Sequence, residues 1–346
     1  MVGRLAAIAL GLGCMASATW AQQTPAELAV AAGAPPAPKN WHVPHTAWGD
    51  PDLTGTWPLE FLSTRPERAA NLGNKRYWTD QEYKKLLAAG PGFGGSYEAE
   101  LKANEIGSGH WTEAGHPLKL TSLIIEPANG RYPPLTAEGK ARQAQMHSSW
   151  SQQTFDSIAD FNTLDRCLSR GLPTSMTPFP YNNGLRVFQA PGYVVIQLEL
   201  IRETRIIPLD GRTAPPAAIR SYMGSSRGHW EGDTLVIDTT NFNGLPPMNL
   251  VGPGGLQLPT SPREHVVERL TPTGPDTIYY EATVEDPGVF TAPFKLGFPW
   301  HRDDKYKLYE YACHEGNTIV QNYIHATSPR FAAQRTATLA AENKVP

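Results

Sequence analysis

Cysteine is scarce in this chain, with three in 346 residues. No C-x-x-C pair and no C-x-x-C-H run occurs, which removes thioredoxin-type redox and c-type haem readings. Long apolar runs are missing beyond the first residues, so no internal segment reaches the ~20 apolar residues of a spanning helix. Neither charge sign dominates: 30 Lys and Arg face 33 Asp and Glu. Nucleic-acid binding needs a concentrated basic field, and membrane-surface binding a basic amphipathic helix; the sequence offers neither. The G-x-S-x-G elbow, the Walker loop, a G-x-G-x-x-G between strand and helix, and H-E-x-x-H are absent too. Common hydrolase, nucleotide and zinc-protease chemistries therefore leave the front rank. Gly90-Pro-Gly-Phe-Gly-Gly95 is a flexible turn without a strand–helix frame for phosphate.

What is present begins with an export signal. Arg4 supplies a positive n-region, Leu5 to Met15 an apolar core, and Thr19-Trp20-Ala21 a small-x-small cleavage site. Residues 1–21 read as a signal peptide, and the mature chain as periplasmic or secreted. Cys14 raises the question of a lipid anchor, although Gly11 stands where leucine is usual. Removal of the leader leaves Cys167 and Cys313. In an oxidising compartment an even pair reads as one bridge, closing about 145 residues and worth roughly 5 kcal/mol in the chain-entropy account.

Proline and glycine, at 32 and 31 residues, exceed their ordinary combined share of ~12% and suit many turns and short strands. Residues 22–47 open rich in Ala and Pro and read as a flexible linker. A helical insertion covers about 77–146. Within it Thr79 and Glu82 form a capping box, and a second, outward-lying helix begins at Thr136. After Cys167 the text turns to strands. Leu185–Gln189, a Pro-Gly turn and Tyr193–Ile201 lead to Arg205–Gly211. Then come the Glu231-Gly-Asp233 hairpin within His229–Phe242, His265–Leu270, Thr277–Glu285, Tyr306–Cys313 and Thr318–Ile324. Short, evenly spaced strands indicate a mainly β, antiparallel barrel or sandwich over residues 48–330 as one domain, with a tail at 331–346.

Asp52-Leu-Thr-Gly55-Thr-Trp57 is similar to the Gly-x-Trp that opens lipocalin-like (calycin) barrels. That resemblance implies an antiparallel β-barrel with Trp57 packed across its closed end. A longer resemblance, to a family of exported β-rich bacterial proteins, rests on six stretches. These are Leu123–Thr136, Asp165-Arg-Cys-Leu168, Leu209-Asp-Gly-Arg212, Gly228-His-Trp-Glu-Gly-Asp-Thr-Leu-Val-Ile-Asp238, Glu264–Arg269 and Glu310-Tyr-Ala-Cys-His-Glu315. It implies fold and compartment and carries no activity. Its pattern often has His where this chain has Ser225.

Strand alternation picks out candidate chemistry. Val236, Asp238 and Thr240 share one face, so Asp238 lines either a polar cavity or the wet side of a sheet. His265, Val267 and Arg269 share another, with Val266, Glu268 and Leu270 on the reverse face of that strand: an imidazole to move a proton and a guanidinium to hold charge. Arg202 continues the Val194–Leu200 face toward a barrel mouth, with Arg205 nearby, while Glu199, on the alternate face with Val195 and Gln197, is either solvated or a cavity acid; ordinary surface pairing is the competing reading. Glu310, beside Cys313, is a rigid acid. The resulting set is His265, Asp238 and Glu310 for catalysis, with Arg205, Arg269, His229, Trp57 and Arg202 for substrate. His265, His229 and Glu310 are the trio that spacing leaves open for a metal, though neither metal nor cofactor is expected. The function that follows is cofactor-free acid–base catalysis, of lyase or isomerase type, on a small apolar or aromatic molecule. A lipophilic-ligand carrier or sensor and an envelope interaction module are the alternatives; oligomeric state is not readable. Thiol labelling of the mature, unreduced protein is expected to find no free cysteine, and two labelled thiols would refute the bridge.

Overall fold

The computed structural model describes residues 23–59, 64–89, 115–147, 154–248 and 257–342, together with positions 102, 104 and 113. The leader lies outside these residues. Strand, at 27%, outweighs helix, at 20%, so the chain is mainly β. Two antiparallel sheets carry it. The four-stranded sheet has the order β1-β3-β4-β5, with β1 Gly55–Thr56, β3 Leu185–Ala190, β4 Tyr193–Leu198 and β5 Thr204–Pro208. The six-stranded sheet has the order β2-β10-β9-β8-β7-β6. Its strands are β2 Ile124–Glu126, β6 Ser225–Glu231, β7 Thr234–Thr240, β8 His265–Gly274, β9 Thr277–Glu285 and β10 Phe294–His301.

Neither sheet closes into a barrel, which corrects the barrel expectation. The two stretches that were to continue the strand series do not form strands. Tyr306–Cys313 is irregular, and Thr318–Ile324 lies mostly in a helix spanning Ile319–Thr327. In the latter, Ile319, Val320, Tyr323 and Ile324 recur at helical spacing, which outweighs their β-branched preference. Conversely, β10 is a strand that Gly297 and Pro299 disguise. Pairing with β2 reaches only Lys295 and Leu296, so Pro299 sits where β10 has an open side and no ladder bond is lost there.

Alternation places one face of each sheet against a common core. Val187, Val194, Ile196 and Ile207 come from the smaller sheet, and Leu235, Ile237, Val266, Leu270, Ile278, Tyr280, Phe298 and Trp300 from the larger. The hairpins form where the turn residues require. Glu231 pairs with Thr234 around Gly232 at φ 58°, and Ala190 pairs with Tyr193 around Gly192 at φ 80°.

Helices pack at the margins. Helix α1, Pro25–Ala31, occupies a stretch that composition had marked as linker. Thr24 and Glu27 make a reciprocal capping box with proline in the first turn, and Leu28, Ala29 and Ala34 cluster with Tyr279 on the outer face of the large sheet. Helix α2, Asp80–Ala88, has the Thr79/Glu82 box read from the sequence. Helix α3, Ala137–Ala144, buries only Gly139. Helix α4, Ile319–Thr327, and α5, Ala332–Glu342, close the described chain, so the expected tail is largely helical. Among the described residues no helix is long and apolar enough to cross a membrane.

Ahead of β8, Glu264 and Asp286 are buried close together. Asp286 accepts from Ser261 N–H and Oγ–H and from Gly288 N–H, whereas Glu264 Oε1 has no partner. Burial, then the Asp286 charge, raises the Glu264 carboxyl well above its usual range. The folded chain thus holds a proton that the unfolded chain releases near pH ~4.3, so stability falls as pH rises above that value. Glu264→Gln is expected to melt higher than the parent at pH 7, by about 2–4 °C per kcal/mol relieved. The difference should shrink toward pH 4, as followed by circular dichroism.

Candidate functional site

The outer face of the large sheet carries most of the side chains singled out by alternation. Asp238 stands opposite Val267, and His265 Nε2 reaches Asp238 Oδ2 at 2.8 Å. Arg269 donates to Glu231 at 2.8 Å, and His229 lies 3.3 Å from the other oxygen of Glu231. A hydrogen bond between these two candidates is thus present. Its setting is the solvent face, with the two side chains 37% and 52% exposed. His229 is in the cross-strand row of Arg269, four residues along β8 from His265, or ~13 Å at strand rise. The trio that spacing leaves open for a metal does not converge, because Glu310 pairs instead with Arg202, at 3.5 Å. Among the described residues no group of three or more His, Cys, Asp or Glu is placed to hold a metal.

Three residues expected to meet substrate lie elsewhere. Arg205 is not at a mouth; it points into the layer between the sheets. There it donates to both carboxylate oxygens of Glu268, to Oε1 at 2.9 Å, and Tyr280 Oη donates to the same Oε1 at 2.9 Å. Alternation had put Glu268 with Val266 and Leu270, and the structure buries all three. Trp57 is a core residue, donating through Nε1 to Leu53 O at 3.1 Å, with Arg302 above its ring. Arg202 turns to solvent because the chain reverses at Ile201 and Arg202, both with positive φ (62° and 56°), so the face of β4 does not continue.

Glu199, left open as solvated or internal, is buried. It accepts from Asn182 Nδ2 at 2.9 Å, Gly184 N–H at 3.1 Å, Tyr306 Oη–H at 3.0 Å and Tyr309 N–H at 3.0 Å. Tyr306 Oη also lies 3.0 Å from Glu113. Burial and these two carboxylates raise the Tyr306 phenol, which keeps its proton. This network holds the segment that ends in the disulfide, Cys167–Cys313, with Cα atoms 5.7 Å apart. The space beside it has room for about one water and no ligand (≈ 10 Å³).

A cleft of about 240 Å³ lies instead at the end of β10. Its floor is apolar: Ala32, Pro58, Pro117 and Leu118; its polar groups are Tyr83, His116, His301 and Asp303. Each wall is fixed by the backbone. His301 is the last residue of β10, opposite Thr277. Asp303 N–H donates to Thr56 O at 3.0 Å, and its Oδ1 accepts from Lys305 N–H at 2.9 Å. Leu118 N–H donates to Thr64 Oγ1 and Lys119 N–H to Ala32 O, both at 2.9 Å. Tyr83, on α2, donates to Pro117 O at 3.1 Å. Gly33 has φ 105°, and a Cβ there would meet the Tyr83 hydroxyl at 3.2 Å, so the cleft needs glycine at that point.

His116 and His301 are both exposed at the rim of the cleft; partial burial of the His301 ring, then the neighbouring His116, lowers the His301 pKa below the usual imidazole value. Sequence reasoning missed both histidines. His301 ends a strand hidden by glycine and proline, and His116 sits in a connection whose position only the tertiary fold defines. No family model matches the chain, and neither curated proteins nor solved structures match it.

The two settings separate by mutation. Arg205→Ala leaves the Glu268 carboxylate buried and unpaired and is expected to cost ~3–5 kcal/mol. His265→Ala removes a half-exposed pair worth at most ~1 kcal/mol. Urea titration of both variants checks the contrast, and equal losses would contradict this placement.

Proposed function

We propose that the chain is an exported protein that binds a small, largely apolar or aromatic molecule in the His116/His301 cleft and moves a proton on it, without a cofactor. One observation carries the reading: two imidazoles, one biased toward its neutral form, face an apolar hollow of about 240 Å³. By comparison, the space beside Glu199, with room for about one water, is ≈ 10 Å³, so this hollow has room for a compact ring. A neutral imidazole over an apolar floor is a competent base at neutral pH. His301 takes the proton, His116 receives or returns one, and the fixed Asp303 carboxylate and Tyr83 hydroxyl orient the polar end of the molecule. The chemistry is the acid–base type read from the sequence, moved from His265 and Asp238 to other residues. Export is supported by the leader-like text of residues 1–21 and by the disulfide, which suits an oxidising compartment.

The test begins with native mass spectrometry of the protein purified from the envelope, to identify what the cleft retains. The retained molecule is then followed by NMR in D₂O. Catalysed exchange of a carbon-bound hydrogen is expected, falling ~10²–10⁴-fold in His301→Ala. Because the His301 pKa is lowered, the acid limb of that exchange should fall below the ordinary 6.5. Retention without exchange would leave a carrier; loss of neither binding nor exchange in His301→Ala would remove the cleft from the function.

A further inference from the structure

A second cleft, of about 440 Å³, opens where α1 leans on the outer face of the large sheet. Leu28 and Ile125 form its apolar side, and the cations Arg76, Arg269 and Lys295 with the carboxylates Glu126 and Glu281 its charged side. Two of the three cations already have partners. Lys295 donates to Glu126 at 2.9 Å and Arg269 to Glu231 at 2.8 Å. Arg76 differs. Its guanidinium lies 5.4 Å from the centre of the Tyr77 ring and hydrogen-bonds the Tyr279 hydroxyl, but its Nε and Nη2 are buried with no acceptor. A cation with two unanswered donors is a costly thing to keep beside a cavity, unless an acceptor enters from outside. Glu281 faces the same space, and burial raises its carboxyl above the usual range despite Lys295, Arg269 and Arg76, so it opposes an incoming anion less than a surface glutamate would.

We propose that this cleft is an anion subsite, in which Arg76 holds a carboxylate or phosphate-monoester group with Arg269 and Lys295 flanking it. A guanidinium presents paired N–H groups that match either head in a fork, and Leu28 and Ile125 leave room for an apolar body behind it. The subsite is separate from the His301 cleft and does not depend on proton transfer there.

The probes are inorganic phosphate, followed by ³¹P line broadening, and benzoate, followed by ¹H saturation transfer, with the full-length mature protein. At least one is expected to bind saturably, with Kd raised ten-fold or more in Arg76→Gln and about three-fold in Lys295→Gln. Benzoate alone would assign a carboxylate, phosphate alone a phosphate monoester. Circular dichroism checks folding; if Arg76→Gln does not fold, Lys295→Gln and Arg269→Gln decide the matter. Absence of saturable binding for both probes, or unchanged affinity in the folded variants, would overturn the assignment. His301→Ala is expected to leave both affinities unchanged, so failure here is distinguishable from failure of the proton-transfer reading.

Discussion

One buried contact sets the relation between the sheets: the fork of Arg205, from the small sheet, on Glu268, from the large one. Two desolvated charges in an apolar layer are tolerated only when geometry and further hydrogen bonds compensate them. Tyr280 supplies one such bond at 2.9 Å and Ser226 another at 3.3 Å, so strands β5, β6, β8 and β9 meet at a single polar point. A shifted strand would leave a charge unpaired among leucines and valines, which makes the pair a register device as much as a source of stability. The consequence runs on through packing. Tyr280 stacks on Trp300 with ring centres 4.8 Å apart. With Trp300 inward, alternation turns its neighbour His301 outward, toward the cleft. The position of the proposed base is thereby inherited from an ion pair that never meets solvent.

The C-terminal segment obeys a different constraint. It has no ladder to join, so side chains and a covalent bond hold it. Glu199 gathers four donors, two of them from residues 306 and 309. The backbone is unusual near both anchors: Asn182, Ile201 and Arg202 have positive φ beside Glu199, and Cys167 has it at the disulfide. Such conformations cost of order 1–3 kcal/mol each in non-glycine residues. They persist because the disulfide and the Glu199 network together over-determine the local path. Strain concentrated here belongs to anchoring, since the adjoining void has room only for about one water.

The sequence revealed local elements well and assembly poorly. β9 appears with the bounds its text indicates, the Glu231-Gly-Asp233 hairpin forms, and the faces of β7 and β8 alternate as read. Those features are encoded by period-two patterns and turn residues, which act over a few positions. Closure was not legible, because whether Tyr306–Cys313 pairs depends on Glu199, over a hundred residues earlier. Direction was half legible: alternation placed His265 opposite in face to Glu268, but only the second sheet decides which face is dry. The core took Glu268, and His265 was left to solvent. The α1 helix had a legible start in Thr24-Pro-Ala-Glu27, obscured by the alanine and proline content around it. Pro299 concealed β10, and with it His301.

That short helix links the two clefts. Seven residues are too few for a helix to persist alone in water, so α1 exists because Leu28 and Ala29 dock on Tyr279. Full burial of one leucine is worth ~1.5–3 kcal/mol, the main term available to offset ordering the segment. The C-terminal end of α1 leads into Ala32 and Gly33, which line the histidine cleft, while Leu28 lines the arginine cleft. Both hollows therefore share a wall that docks on β8, β9 and β10, with the Tyr279 ring of β9 at the centre of its apolar contact. Weakening that docking would open them together, whereas a side-chain change confined to either hollow leaves the other intact. Tyr279 is almost completely buried although it lies on the outer face of its sheet, and the construction of both clefts is the physical reason that face is not left to water.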